Sequence, residues 1–153
     1  MSLIKLSKTD TLLRSGCISF ISMESTKNDG FVIRTNVDIS PNSKIRFTDS
    51  EWNGNHFGFD ENDITWINGT KIIPAGTVIH FTNLNAKAAV SRGTIMGSMS
   101  LSQEKDAIFA YIGDQRMPTK FLAAMANNEL GYGTLLNTGL VKGQTAITFQ
   151  KEK

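Results

Sequence analysis

Apolar and polar residues alternate along most of the chain, the period-two signature of strands half buried in a sheet. Lys44-Ile45-Arg46-Phe47-Thr48 puts Ile45 and Phe47 on one face, and Asp63-Ile64-Thr65-Trp66-Ile67 sets Ile64 and Trp66 against Thr65. The same rhythm predicts strands over Cys17–Ile21, Phe31–Val37, Thr77–Thr82, Ala107–Ile112 and Ala146–Phe149. Turn residues separate them: Glu24–Gly30 ends in Asp29-Gly30, Pro41-Asn42-Ser43 precedes Lys44, and Asn68-Gly69 predicts a hairpin-type turn.

A weak repeat underlies this layout. Ile39-Ser40-Pro41-Asn42-Ser43-Lys44-Ile45-Arg46-Phe47-Thr48-Asp49 is echoed by Ile72 to Asn83, each reading as apolar residue, proline-started turn, then strand. Aligned on the prolines, the second copy has one extra residue, which predicts a bulge that puts His80 and Phe81 out of phase. Pro118 to Asn128 fits two patterns. Its Ala- and Met-rich composition, with Phe121, Leu122 and Met125 at i, i+1, i+4 and Thr119 as a cap, suits a short helix. Following Ile112 across Gly113–Arg116, it equally suits the return strand of a hairpin.

Many short alternating strands with at most one or two short helices define an all-β protein, an antiparallel β-sandwich, and argue against a buried parallel sheet. With 153 residues the chain is one domain, residues 1–153, its core spanning about 16–149 and residues 1–15 forming an extension or edge strand. Sixteen basic and fourteen acidic residues leave a net charge of +2, too small and too scattered for nucleic acid or an anionic membrane. The lone Cys17 sits in an apolar run as a small buried hydrophobe and excludes a disulfide framework. The first fifteen residues hold neither a signal-peptide core nor a membrane span, which reads as a cytoplasmic or trimmed chain.

Several motifs, in order, carry a family resemblance. Asn28-Asp29-Gly30-Phe31, Ile39-Ser40-Pro41, Phe47-Thr48-Asp49-Ser50-Glu51-Trp52, Ile64-Thr65-Trp66 and Ile73-Pro74-Ala75-Gly76-Thr77 are followed by Lys105 to Tyr111 and Pro118-Thr119-Lys120-Phe121. Together they resemble a bacterial β-domain family found mostly in exported or surface proteins, and more remotely the lamin-tail-like, immunoglobulin-type sandwich. The resemblance implies an extracellular setting and strand rather than helix at 121–126. It implies no catalytic residues.

Candidate chemistry gathers after the third strand. Asp49, Glu51, Asn53-Gly54 and Asp60 loosely echo a calcium loop, with oxygens at alternating positions and a glycine at the sixth; calcium is then the ion, and Asp49 and Asn53-Gly54 otherwise make a solvated turn. Glu51, Asp60, Glu61 and Asp63 form an acidic patch. His56 on a loop and His80 on a strand face are the only histidines, and no nucleophile motif accompanies them. Trp52, Phe57, Phe59, Trp66 and Tyr111 offer aromatic surface; Trp66 fits the core, whereas Trp52 is an exposed contact or an end plug. The reading that follows is a non-enzymatic binding module for a protein or carbohydrate partner, using loops 50–62, 83–105 and 127–143 and the ligand residues Glu51, Trp52, His56 and Phe57. A cation-binding domain centred on residues 49–60, with or without hydrolytic activity, is the alternative, and an oligomer joined through an edge strand a third.

Overall fold

A computed structural model describes residues 13–24, 29–58, 62–101 and 106–149. Ten strands form two sheets, in keeping with the expected all-β sandwich. They are β1 Ile18–Glu24, β2 Gly30–Thr35, β3 Lys44–Thr48, β4 Asp63–Ile67, β5 Val78–Thr82, β6 Ala89–Val90, β7 Thr94–Gly97, β8 Ala107–Asp114, β9 Met117–Ala126 and β10 Ala146–Thr148. One sheet has the order β1-β2-β5-β6 and the other β10-β9-β8-β3-β4-β7. Every pairing is antiparallel except β9 with β10. The segment 83–105, read from sequence as a loop, contains β6 and β7.

Alternation builds the core between the sheets. Phe31 and Ile33 from β2, Ile45 and Phe47 from β3, Ile64 and Trp66 from β4, and Ile79 and Phe81 from β5 all turn inward. Phe31 stacks on Phe81 at 4.4 Å between ring centroids, and Phe47 packs against both. Burying such a ring stabilises the fold by about 1.5–3 kcal/mol. Gly30 is part of β2 rather than of a turn, because a Cβ there would collide with the Phe81 carbonyl oxygen.

The repeat has a structural counterpart that removes the expected bulge. Ile39 and Ile73 exchange two backbone hydrogen bonds, of 2.8 and 3.0 Å, across the two sheets. Paired on these isoleucines rather than on the prolines, the copies have equal length. Asn42 and Gly76 then share a positive φ, and Ser43 and Thr77 each donate a hydroxyl three residues back, to the carbonyls of Ser40 and Pro74. Phe47 and Phe81 are both buried, so β5 keeps its phase and pairs with β2 without a register shift.

Asn68-Gly69 does not make the expected hairpin either. Neither residue has a positive φ, β4 pairs with β3 and β7, and the next strand lies in the other sheet. The buried Asn68 instead donates its side-chain amide to the carbonyls of Ser40 and Lys71, both at 2.9 Å, tying the crossover between sheets.

Residues 117–126 are strand β9, which resolves the helix-or-strand ambiguity. The segment loses alternation because its sheet is covered on both faces. Ile108, Ala110, Leu122, Ala123 and Met125 face the core between sheets, while Phe109, Tyr111, Phe121, Ala124 and Ala126 face a second core on the far side. A bulge opposite Ala110 and Tyr111 gives Leu122 no partner of its own and turns it inward beside Ala123. The second core is roofed by Trp52 and Phe57 from the segment between β3 and β4, and by Tyr132 and Leu140 from the segment after β9.

Candidate functional site

The stretch 50–58 is a narrow antiparallel ribbon. Asn53 Oδ1 accepts the amides of Asn55 and His56, each at 2.8 Å, and Gly54 supplies the positive φ that reverses the chain. The Asn53 amide donates to the His56 carbonyl, the Gly58 amide donates to the Glu51 carbonyl, and Trp52 bridges Phe57. A third strip joins this ribbon: the Trp52 amide donates to the Tyr132 carbonyl and the Thr134 amide to the Trp52 carbonyl. Gly133 is required at this crossing, since a Cβ would strike the Trp52 carbonyl oxygen and its φ is +79°.

Strand alternation gives the platform two different faces. Trp52 (5% exposed) and Phe57 (0%) point down into the second core, where Phe57 packs on Phe109, Tyr111 and Phe121. The Trp52 indole N–H donates to the Leu136 carbonyl at 2.7 Å, satisfying the polar end of a buried ring. Trp52 is therefore the plug rather than the exposed contact, and the Phe57 ring does not reach solvent. Glu51, Asn53, His56 and Gly58 lie on the upper face. With Trp52, Gly133 and Thr134 they line an open cavity of about 360 Å³.

Hydrogen bonding sets what this lining offers. Asn53 Oδ1 is filled by two backbone donors, so its amide orientation is fixed and Nδ2 faces His56 Nε2 at 3.1 Å. An amide nitrogen only donates, which makes Nε2 the acceptor and leaves the proton on Nδ1, 3.1 Å from the Phe57 carbonyl. The two contacts suit the Nδ1–H tautomer of the His56 ring. Thr134 Oγ1 accepts the Leu136 amide at 3.1 Å and retains its own proton for donation. The Glu51 carboxylate has no hydrogen-bond partner among the described residues and is the sole carboxylate of the described lining.

Three members of the cation set can be placed. Asp49 is buried, and its Oδ1 accepts the Asn62 amide at 3.1 Å, closing the base of the 49–62 loop. Glu51 lies at the cavity, and Asn53 Oδ1 is committed to its turn. Asp60, Glu61 and Phe59 lie outside the described residues. Among the described residues no three His, Cys, Asp or Glu side chains converge as a metal would need. His80 is exposed on β5, and Cys17 and Trp66 are buried as expected.

A second polar cluster lies where β3, β4 and the β8–β9 hairpin meet. Tyr111 Oη donates to Asp63 Oδ2 at 2.5 Å and accepts the Arg116 amide at 2.9 Å. Arg46 bonds the Gly113 carbonyl and the Thr65 hydroxyl. Burial pushes the Asp63 carboxyl above its ordinary value, opposed by the Tyr111 hydrogen bond and the nearby Arg46 and Arg116 charges. Burial and the Asp63 contact push the Tyr111 hydroxyl up as well. Asp63 thus belongs to a structural network rather than to a solvated acidic rim.

Sequence reading placed Glu51, Asn53 and His56 near one another but missed Gly58, Gly133 and Thr134. The signal available was Gly131-Tyr132-Gly133, glycines around an aromatic, which marks a close backbone approach without saying to what. Comparison with known families, curated proteins and solved structures finds no match. Among the described residues no helix is long and apolar enough to cross a membrane.

Proposed function

We propose that the protein is a non-enzymatic binding module whose ligand seats in the cavity between residues 51–58 and 133–134. The observation that carries this reading is the platform itself: one face locked into the second core, the other presenting polar groups around a depression. Such a cavity is formed before the ligand arrives, which spares the ordering cost of binding, and its volume falls in the usual small-ligand range of about 300–1,000 Å³. Binding is favoured over hydrolysis because glycoside cleavage uses two carboxyl groups and the described lining residues supply one. The imidazole that would serve as base has its Nε2 engaged by Asn53. The motif resemblance to exported β-domains, which implies no catalytic residues, supports the same reading. None of residues 83–101 lines the cavity, so the contact surface proposed here is 51–58 and 133–134.

The test is a screen of mixed polar fragments against ¹⁵N-labelled protein. Binding is expected to shift the Gly58, Gly133 and Thr134 amides and the Trp52 indole N–H together. A library that moves none of these four resonances overturns the proposal.

A further inference from the structure

We infer that this cavity takes a neutral sugar, gripped through a pair of adjacent hydroxyl groups; the inference rests on the binding reading above. The argument is an inventory of unspent hydrogen-bonding capacity. Most polar groups of the lining are committed locally: the carbonyls of Glu51, Trp52 and His56 accept backbone amides, the Phe57 carbonyl lies against His56 Nδ1, and Asn53 Oδ1 holds two amides. Among the described side chains three capacities remain. The Glu51 carboxylate accepts, the Thr134 hydroxyl donates, and the second Asn53 Nδ2 proton donates.

A ligand that fits must both donate to a carboxylate and accept from an O–H and an N–H. A hydroxyl does both at once, and two adjacent hydroxyls span a carboxylate in the bidentate manner that makes charged hydrogen bonds strong. A metal cation is poorly served, because the described lining residues offer a single carboxylate. An anion meets the Glu51 charge, with no Lys or Arg among the described lining residues to offset it. An amine would satisfy Glu51 and leave both donors unused. The Cα surfaces of Gly58 and Gly133 beside Trp52 give a sugar ring's C–H face somewhere to rest.

The experiment titrates ¹⁵N-labelled protein with four probes: neutral monosaccharides and their oligomers, glucuronate, ethylenediamine and calcium chloride. Trans-1,2-cyclohexanediol and cyclohexanol serve as a matched pair with and without the adjacent hydroxyls. Neutral sugars and the diol are expected to shift the Gly58, Gly133 and Thr134 amides, with glucuronate and cyclohexanol weaker. Glu51→Gln, an exposed side chain, is expected to weaken sugar binding about tenfold with an unchanged melting temperature. Thr134→Val removes the hydroxyl donor and is expected to weaken it further. Shifts with ethylenediamine or calcium but none with sugars overturn the sugar inference and leave the binding reading standing. Silence from every probe and from the fragment screen overturns both.

Discussion

Tyr111 works from two directions: its ring fills the second core, and its hydroxyl passes a proton bond to Asp63 while holding the Arg116 amide. Loss of that hydroxyl leaves a half-buried carboxylate and an amide without their shared partner, a deficit of about 1–3 kcal/mol. The pH dependence follows from the raised tyrosine. A group whose pKa is higher folded than unfolded contributes stability that is complete below the unfolded value, here 10.0, and is lost above it. Wild type is therefore expected to lose urea resistance above about pH 10, with the stability gap to Tyr111→Phe narrowing there. A gap that stays constant from about pH 8 to 11 would contradict the buried, protonated phenol. Asp63 runs in the same sense on the acid side: its raised carboxyl favours folding below 3.8 and gives that contribution up as pH climbs through the folded value. None of this was legible in the sequence, where Asp63 looked like one acid among four. Alternation placed Asp63 at a strand end but said nothing about the hairpin that would lie across it.

At the scale of strands and turns, alternation read well wherever one face of a sheet meets the core. Residues 44–48 and 63–67 are strands with the expected boundaries and the expected inward faces. It failed where both faces are covered, as in β9, because a doubly buried strand of alanines and methionines has the composition of a helix. Turn chemistry failed differently. Asn-Gly usually supplies positive φ, yet at Asn68-Gly69 the asparagine is an internal clamp and the glycine is incidental. Two substitutions separate these roles. Asn68→Ala is expected to cost about 1–3 kcal/mol in urea denaturation by removing the donor that the Ser40 and Lys71 carbonyls share. Gly69→Ala is expected to change stability little, since a Cβ there meets open space. A hairpin turn would reverse the order of the two effects.

Across the molecule, the six-stranded sheet is the shared wall of two cores, and each holds one of the two tryptophans. Because β8 sends alternate residues to opposite sides, neither core should melt without disturbing the other. Single-tryptophan variants, Trp52→Phe and Trp66→Phe, are expected to give urea midpoints by fluorescence that coincide with far-UV circular dichroism for each protein. An earlier transition seen through Trp52 alone would make the cavity platform a separate cooperative unit. The two-layer sandwich was evident from strand number and pattern. The third layer was not, because its roof comes from segments of irregular rhythm whose apolar residues gain a partner surface only after the sheet exists.

Ser15 and Gly16 bond the carbonyls of Phe121 and Leu122, and β10 lies along the following residues of the same strand. Segments near the two ends of the described chain thus meet on β9. During synthesis the earliest of these must stay unattached until about a hundred further residues have left the ribosome. β3 waits similarly for β8, its neighbour from 107 onward. Folding accordingly waits for β9 to emerge, and a nascent chain halted before it would lack the inward Leu122, Ala123 and Met125 that complete the core between the sheets.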